Sequence, residues 1–435
     1  MSTITLLSHQ TSVIEQTKDQ NKVAYYLDMG LGKTFVGSEK MKQLHSKVNL
    51  VICQKSKVKD WVEHFYTYYD YMVFDGTNKH DLELFIEHTW VEDGILVCVI
   101  NYELAFRRSV LADLSNFTLM LDESSLIQNE TAKRSKFILK KLNPKNVILL
   151  SGTPTSGKYE KLWSQMHLLG WNISKDMYYR QYVDMRFDGM GYPYVACYKN
   201  VDRLKKKMRE HGCVFMKTEE VLDLPQQNFI DIRVDESKEY KKFMKSGIVQ
   251  VHTGVYDHQC GSEWDGKIYD DLHELVGDTT LTKLLYARQL CGMYSKEKLN
   301  AFKDLVDSTE DRLIVFYNFN DELEKLKLIC EDRRISVVNG SIKDLQAYNK
   351  CDNSITFIQY QAGAMGLNLQ LANKIVYFTP PLSSELFEQS KKRIHRIGQE
   401  KPCFYYQLKC GIEYHIYDVL SMRKDYTDEL FVEVL

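Results

Sequence analysis

The sequence predicts an α/β protein built from two parallel-sheet units with helical insertions between them. Short apolar runs of strand length alternate with longer amphipathic stretches up to about residue 170, and the same alternation resumes after residue 300. Buried strands separated by helices are typical of a parallel sheet, with functional loops at the carboxyl ends of its strands. Residues 171–300 are richer in Tyr, Lys and Met, lack regular buried strands, and indicate inserted helices.

The individual elements follow from apolar runs that end in polar or glycine residues. In the first unit, the predicted strands are 47–54, 94–100, 117–123 and 146–152, and the predicted helices are 60–69 and 132–142. A further helix is predicted at 201–211, within the insertion, and strands follow at 312–319, 335–340, 354–361, 374–381 and 402–409. Two similar sheets that face each other would leave a cleft, where ligands often bind.

The composition is that of an ordinary soluble protein, and it excludes several classes. The net charge of −2 does not indicate a general attraction to nucleic acid, so any nucleic-acid site must be a local cluster of positive charge. The ten cysteines include no C-x-x-C, which argues against a zinc ribbon or a secreted disulfide scaffold and favours a reducing cytosol. The first residues lack the features of a signal peptide, and the apolar runs are too short to span a bilayer, so no membrane partner is expected.

The stretch LDMGLGKT at residues 27–34 has the chemistry of a phosphate-binding loop but not its strict spacing. The usual pattern requires a glycine where Leu27 stands. Gly30 and Gly32 still allow backbone N–H groups to turn toward an anion, Lys33 follows, and the hydroxyl of Thr34 could reach Mg²⁺. Alone, the stretch fits a phosphate loop or a simple glycine turn.

A carboxylate pair ends the apolar run FTLMLDESS at residues 117–125. Asp122 could hold Mg²⁺, and Glu123 could orient and deprotonate an attacking water. A lone Asp-Glu pair is more often a solvated turn, but here a lysine-threonine loop precedes it in the same unit. Phosphoryl transfer also needs an arginine. Arg393 and Arg396 are three residues apart, so on a helix they would share one face and could reach a γ-phosphate when the units close.

Taken together and in this order, the motifs resemble the Swi/Snf-type (Snf-two) DNA translocases of helicase superfamily two. The resemblance rests on LLSHQTSVIEQ, DMGLGKT, VICQKSKVKDWVEHF, INYELAFR, DESS, LLSGTPTSGKYEKLW, LIVFYNFNDELEKL, QAGAMGLNLQLANKIVYFTPP and QSKKRIHRIGQ. The family's own phosphate loop typically lacks the first glycine, which accounts for the misfit at Leu27. The resemblance implies two RecA-like lobes, ATP and Mg²⁺ as ligands, and duplex or branched DNA as the partner.

The resemblance also implies roles for individual residues. The catalytic set is Lys33, Glu123, Arg393 and Arg396. The ATP-binding set is Gln10, which would read adenine, with Met29, Gly30, Leu31, Gly32, Lys33, Thr34 and Asp122, of which Thr34 and Asp122 would hold the metal. Coupling between nucleotide and DNA would involve Ser151, Gly152, Thr153 and Gly366, and DNA contacts would involve Lys55, Ser56, Asn101, Asn318 and Gln361.

The implied domains are an ATP-binding lobe at 1–225, with a helical protrusion at about 171–222, and a C-terminal lobe at 226–435, with a helical insertion at about 236–300. Ser125 stands where the family commonly has histidine, which leaves its link to residues 151–153 open. Little of the chain lies outside the motor, so a minimal form from a bacterium or phage, working in the bacterial or host cytosol, is expected.

Several alternatives remain open. The chain could be a strand-separating DNA or RNA helicase, or a catalytically silent DNA-binding scaffold, although the silent scaffold would be expected to have lost some catalytic residues. The aromatic stretch at 61–74 could stack on bases, but packing against the sheet is the default. The basic run at 203–212 is more often a solvated helix face. His252, His258 and Cys260 lack a fourth ligand at metal spacing, which disfavours a metal site.

Overall fold

A computed structural model describes residues 4–90, 94–155, 157–187, 189, 191–252, 272–363 and 367–431. The chain divides into two compact units. The first comprises Met1–Asp223 with Arg423–Leu435, and the second comprises Leu224–Met422.

The first unit is built on a sheet of seven strands, counted among its described residues. In chain order the unit contains β1 (Lys22–Leu27), β2 (Val48–Cys53), β3 (Met72–Asp75), β4 (Leu96–Asn101), β5 (Thr118–Asp122), β6 (Asn146–Leu150), β7 (Val183–Phe187), β8 (Pro193–Tyr198) and β9 (Cys213–Met216). The sheet order is β3-β4-β2-β5-β6-β1-β9, and every neighbouring pair is parallel. Strands β7 and β8 form a separate antiparallel pair.

Helices cover both faces of this sheet, which explains why its strands are apolar on both sides. They are α1 (Ser8–Gln16), α2 (Lys33–Gln43), α3 (Val58–Tyr68), α4 (Lys79–His88), α5 (Tyr102–Ala105), α6 (Lys133–Lys140), α7 (Trp163–Leu168), α8 (Lys175–Tyr182) and α9 (Val201–Glu210). Successive residues of β1 enter different cores: Tyr26 packs in one cluster, and Tyr25 and Leu27 pack in the other.

The second unit has a sheet of similar design. Its strands are β10 (Gln227–Arg233), β11 (Ile248–His252), β12 (Leu272–Val276), β13 (Leu313–Tyr317), β14 (Ile335–Val338), β15 (Lys343–Asp344), β16 (Ile355–Gln359), β17 (Lys374–Tyr377) and β18 (Cys403–Lys409). The sheet order is β10-β18-β17-β13-β16-β14-β15, parallel except for the β14–β15 pair. Strands β11 and β12 pair antiparallel outside it. The helices are α10 (Lys238–Ser246), α11 (Thr280–Cys291), α12 (Lys296–Asp307), α13 (Asn320–Ile329), α14 (Gln346–Lys350), α15 (Tyr360–Gly363) and α16 (Ser384–Lys391). The last helix, α17 (Glu413–Phe431), begins in the second unit, and its residues from Arg423 onward belong to the first.

The predicted fold class, α/β with two parallel-sheet lobes, is confirmed, and each apolar run that predicted a strand forms one. Residues 171–300 were predicted to be mainly helical and to lack regular buried strands, and they also contain strands that are partly exposed. Strand β9 is the edge strand of the first sheet, β10 is the edge strand of the second, and β7–β8 and β11–β12 form two antiparallel pairs. Two of the three residues considered for a metal site, His258 and Cys260, lie outside the described residues. None of the helices in the described part of the chain is long and apolar enough to cross a membrane.

Candidate functional site

The segments with candidate chemistry in the first unit lie at one edge of its sheet. Strands β2, β5, β6 and β1 are successive neighbours and all run parallel, so their carboxyl ends meet at the same edge. The glycine loop follows β1, residues 151–153 follow β6, and residues 55–57 follow β2. Asp122 is the last residue of β5 and pairs in register with Leu150 of β6. Topology therefore gathers segments that are far apart in the sequence.

The loop after β1 has the backbone conformation that its glycines predict. Gly30 has φ 88° and Gly32 has φ 72°, in the left-handed region that favours glycine. Helix α2 begins immediately afterwards at Lys33, with Thr34 as its second residue. The amino end of a helix directs N–H groups and the positive end of its dipole outward, which favours an anion such as phosphate.

Side chains from the surrounding unit hold the carbonyl groups of this loop. The Thr218 hydroxyl donates to the carbonyl of Met29 at 3.2 Å, and the Gln10 amide donates to the carbonyl of Leu31 at 3.1 Å. In a trans peptide the N–H points opposite to the C=O. The N–H groups of Gly30 and Gly32 therefore point away from these donors, and neither donates a hydrogen bond to another described residue.

Lys33 lies over the end of β1. Its Nζ donates to the carbonyls of Leu27 at 2.9 Å and Asp28 at 3.2 Å. Gly152 packs closely here, since a Cβ on it would stand 3.4 Å from Lys33 Nζ and from Met29 Cγ. The structure thus brings the predicted phosphate lysine beside the predicted coupling segment.

Gln10 is placed against the phosphate loop in this structure. Besides its bond to Leu31, its Oε1 accepts from the backbone N–H of Leu7 at 2.9 Å, so both ends of the amide are engaged. His9 supports the same carbonyl, with its Nε2 3.2 Å from Leu31 O. A Cβ on Gly32 would lie 2.2 Å from Gln10 Nε2. Gln10 therefore buttresses the loop, and adenine recognition by it stays a prediction.

Asp122 is held by a residue to which the sequence assigned no role. The indole Nε1 of Trp61, on α3, donates to Asp122 Oδ2 at 2.9 Å. Burial raises the pKa of the Asp122 carboxyl above its ordinary value, while the Trp61 hydrogen bond and the Lys33 ammonium act to lower it. Trp61 and Phe65 are buried, so this part of the aromatic stretch packs in the core, as the default interpretation predicted.

Glu123 has a strained backbone at φ 53°, ψ 60°. Left-handed backbone is uncommon for residues other than glycine and is concentrated at functional sites. The buried Tyr102 hydroxyl donates to the carbonyl of Asp122 at 2.9 Å and fixes the turn at this point. The conformation redirects the chain immediately after the strand, where the predicted water-orienting carboxylate is attached.

Gln165, on α7, links the turn after β5 to the residues that follow β6. Its Oε1 accepts from the hydroxyls of Ser124 at 2.7 Å and Tyr26 at 3.0 Å, and its Nε2 donates to the carbonyl of Pro154 at 2.8 Å. The same carbonyl accepts from Gln128 at 3.0 Å. Gln165, Ser124 and Tyr26 are fully buried. Sequence reasoning missed this residue, because the stretch WSQMHLL contains three polar residues and no pattern in it distinguishes Gln165 from Ser164 and His167.

The other residues predicted to couple nucleotide and DNA differ in their hydrogen bonding, and one of them lies outside the described residues. Ser151 is fully buried, and its Oγ accepts from the backbone N–H of Thr153 at 3.2 Å. The Thr153 hydroxyl is buried and has no hydrogen-bond partner among the described residues. Gly366 lies outside the described residues.

The residues predicted to contact DNA differ in how exposed their side chains are. Lys55 and Ser56, after β2, and Gln361, after β16, are exposed. Asn101 is only 2% exposed, and its amide donates to Glu103. The amide of Asn318 donates to the hydroxyl and carbonyl of Thr379 and to the carbonyl of Pro380. Asn101 and Asn318 are thus occupied with their own unit and do not present free amide donors to a polynucleotide.

The expectation that Arg393 and Arg396 share a helical face is wrong. Helix α16 ends at Lys391, and both arginines lie in the turns that follow. Gln399 holds these turns, because its amide donates to the carbonyls of Ile394 at 3.2 Å and Ala372 at 2.8 Å. Arg393 is buried, and Arg396 is half-buried with a pKa lowered by burial.

The residues of the first unit fit a magnesium-bound phosphate chain. Two glycine N–H groups are turned outward, Lys33 is adjacent, and the Thr34 hydroxyl and the Asp122 carboxylate supply the oxygen ligands that Mg²⁺ prefers. Among the described residues, no group of three or more His, Cys, Asp or Glu could hold a metal alone. Mg²⁺ usually combines one or two protein ligands with water and substrate phosphates, and Thr34 and Asp122 would supply that number.

Comparison with known proteins is consistent with this geometry. The SNF2-related domain family matches residues 9–292, and the helicase conserved C-terminal domain matches residues 297–398. An uncharacterised ATP-dependent helicase of Mycoplasma genitalium is 23% identical, over 93% of this chain and 40% of its own. The ISWI chromatin-remodelling complex ATPase ISW1 of Saccharomyces cerevisiae is 22% identical, over 89% of this chain and 37% of its own.

The ATP-dependent DNA helicase DDM1 of Arabidopsis thaliana is 24% identical, over 87% of this chain and 55% of its own. The chain thus spans between about a third and just over half of the length of these relatives. The SNF2-related match alone covers more than half of this chain, and the motif order agrees with it. The chain therefore belongs to the SNF2-related family of helicase superfamily two.

Proposed function

We propose that this protein is an ATP-dependent DNA translocase that hydrolyses ATP and moves along duplex DNA without fully separating its strands. The observation that carries the proposal is the convergence of the glycine loop, the Asp122–Glu123 pair and residues 151–153 at one edge of a single parallel sheet. A phosphate cradle, a metal carboxylate and a water-orienting carboxylate are the groups that phosphoryl transfer requires.

At the phosphate end, the chain binds by backbone and charge. The N–H groups of Gly30 and Gly32 donate hydrogen bonds to phosphate oxygens, and the Lys33 ammonium leaves the carbonyls of Leu27 and Asp28 to contact the negative phosphates. Thr34 and Asp122 would hold Mg²⁺, which would neutralise charge on the phosphates. Trp61 keeps the Asp122 carboxylate oriented toward that task through its indole hydrogen bond.

For hydrolysis, Glu123 orients and deprotonates the attacking water. Arg396, and with it Arg393, supplies positive charge to the γ-phosphate. Domains 1–225 and 226–435 are the two functional lobes under this proposal. Each round of hydrolysis then drives movement along the DNA.

Coupling to DNA passes through residues 151–153 and the buried Gln165 network. Gly152 packs against Lys33, and Gln165 bonds both to Ser124, beside Glu123, and to the Pro154 carbonyl. A shift of either segment therefore strains the same buried hydrogen bonds. This link takes the place that the family commonly gives to histidine at the position of Ser125.

DNA as the partner is supported by the relative from Arabidopsis thaliana, whose name is that of a DNA helicase, and by exposed polar residues at the strand ends. Lys55, Ser56 and Gln361 are exposed and suited to phosphate contacts, which carry little sequence information. Binding should weaken steeply as salt rises, because phosphate contacts release counterions. The site of action is the cytosol of a bacterium or its host.

The test is an ATPase assay with duplex DNA, single-stranded DNA, branched DNA and RNA offered in parallel. Stimulation by duplex DNA is expected. Glu123→Gln should keep ATP binding and nearly stop turnover, and Lys33→Ala should weaken ATP binding itself. Arg396→Ala should slow turnover by about 10²–10⁴. An Arg396→Ala enzyme with an unchanged rate would remove the arginine from the catalytic set.

Two further assays separate this function from its alternatives. Displacement of a triplex strand without unwinding of a forked duplex is expected of a translocase. Efficient fork unwinding with no triplex displacement would instead identify a strand-separating helicase. Absence of ATP turnover with every nucleic acid would identify a DNA-binding scaffold.

A further inference from the structure

The antiparallel ribbon of β7 and β8 carries aromatic rings that the core does not use. Phe187 is 70% exposed, Tyr192 is 67% exposed and Tyr194 is 48% exposed. At the base of the ribbon, Tyr182 and Val183 are buried in the first unit. The base therefore anchors the ribbon, while its outer part exposes large rings to solvent.

The rings occupy both faces of the ribbon. Phe187 pairs in register with Pro193, and Tyr194 pairs with Arg186, which is the next position of β7. Because successive residues of a strand point to opposite faces, Phe187 and Tyr194 lie on opposite sides. A ribbon that docks on a protein surface would place its apolar residues on one face. Rings on both faces suit a partner that offers flat surfaces on both sides, such as successive bases.

The charge around the ribbon favours a polyanion. Residues 171–212 contain nine lysines and arginines against five aspartates and glutamates, in a chain whose net charge is −2. Arg180, Lys199 and Arg203 are exposed near the ribbon base. The base is closed by the N–H of Lys199, which donates to the carbonyl of Tyr182 at 3.1 Å. Arg180 thus lies in the last turn of α8, Lys199 follows the last residue of β8, and Arg203 lies in the first turn of α9.

We propose that the β7–β8 ribbon binds unpaired bases of the DNA on which the motor acts, at a single-stranded tail or a junction. The inference rests on the proposed function, because it takes DNA as the polymer. Aromatic rings stack on any base, and nearby cations hold the backbone, which together give sequence-tolerant binding of single strands. Inside an intact duplex the base faces are stacked on each other, so the ribbon discriminates tailed or branched DNA from blunt duplex.

The test compares binding of a tailed duplex and a blunt duplex, each labelled with a fluorophore, by anisotropy without ATP. In the triple variant Phe187→Leu, Tyr192→Leu, Tyr194→Leu, exposed apolar residues remain but the rings are gone. Loss of one stacked ring weakens binding by about 5- to 150-fold, so the variant should lose at least about tenfold in affinity for the tail. Its affinity for blunt duplex should stay within about twofold. Trp90→Leu removes an 85% exposed ring elsewhere in the same unit and should change neither.

Two further readouts address stacking and charge separately. A 2-aminopurine in the tail should be quenched when it binds the wild-type protein and not when it binds the triple variant. Replacing Arg180, Lys199 and Arg203 by glutamine should lower the slope of log affinity against log salt for the tail by about 2, at roughly 0.7 per phosphate contact.

The outcomes separate this inference from the proposed function. If duplex DNA stimulates ATP hydrolysis by the wild type while the triple variant binds the tail as the wild type does, the ribbon inference fails alone. If the triple variant changes self-association in light scattering and leaves tail binding intact, the ribbon is a protein contact and the inference also fails. If no DNA binds or stimulates the wild type, the proposed function fails.

Discussion

Replacing Gln165 by leucine should destabilise the first unit and weaken the stimulation of ATP hydrolysis by DNA. The buried Oε1 of Gln165 is the acceptor for the hydroxyls of Tyr26 and Ser124, so leucine leaves two buried hydroxyl groups without it. Each unsatisfied buried group costs about 1–3 kcal/mol, which gives about 2–6 kcal/mol for the pair. The Pro154 carbonyl keeps its bond from Gln128 and adds little to this sum.

A matched variant separates stability from function. Tyr26→Phe and Ser124→Ala, combined with Gln165→Leu, remove the stranded hydroxyls together with their acceptor. Replacing all partners by apolar groups can be nearly neutral, so the triple variant should regain most of the lost stability. It should still hydrolyse ATP with weaker stimulation by DNA, because the acidic and coupling segments are no longer bonded through Gln165.

Urea unfolding followed by tryptophan fluorescence measures these changes. Four of the five tryptophans lie in the first unit, so the signal reports mainly on that unit; they are Trp61, Trp90, Trp163 and Trp171. A loss below about 1 kcal/mol in Gln165→Leu, or a triple variant no more stable than the single one, would refute the reasoning.

Two other perturbations have matched controls in the same unit. Trp61→Phe removes a hydrogen bond to the Asp122 carboxylate that is worth about 1.5–3 kcal/mol, so the pKa of Asp122 should rise. The acid limb of the ATPase pH profile should therefore move up by about one to two pH units. Activity is then lost at higher pH as the solution is acidified, whereas Trp163→Phe, which loses a 2.9 Å bond to a backbone carbonyl, should leave the limb in place. Gly32→Ala should abolish ATP binding in calorimetric titration, because it combines a φ of 72° with a Cβ only 2.2 Å from a glutamine amide. Gly170 has a similar φ of 90°, but a Cβ there would have its nearest neighbour 3.8 Å away. Gly170→Ala should therefore lose about 1–2 kcal/mol of stability and still bind ATP. Equal ATP affinity in the two variants would contradict the argument.

The sequence predicts the two sheets well because strands covered on both faces appear as continuous apolar runs. The run 117–123 predicts β5, and 146–152 predicts β6, within one or two residues at each end. Strands β9 and β10 were not predicted because they are short or partly exposed edge strands in segments rich in charged residues. The buried β1 and the short β3 were not predicted either. An edge strand is defined by its one neighbour in space, which periodicity does not reveal.

The positions of the candidate residues could be predicted where these residues follow strand ends, but the side chains that hold them in place could not. The loop glycines and the acidic residues are indicated by their residue type and by their position directly after an apolar run. The Trp61–Asp122 bond joins residues 61 positions apart, and the Tyr26–Gln165 bond joins residues 139 positions apart, so no local pattern indicates them. The helix expected through Arg393 was wrong for the same reason, because the Gln399 side chain holds that segment as turns.

The most direct test of the account is ATP turnover by the wild type and Glu123→Gln, measured with and without duplex DNA and alongside ATP binding. The account predicts that duplex DNA accelerates the wild type, and that the variant binds ATP with wild-type affinity but turns over too slowly to be accelerated. Glu123→Gln protein that hydrolyses ATP at the wild-type rate, or wild-type hydrolysis indifferent to every polynucleotide, would contradict it.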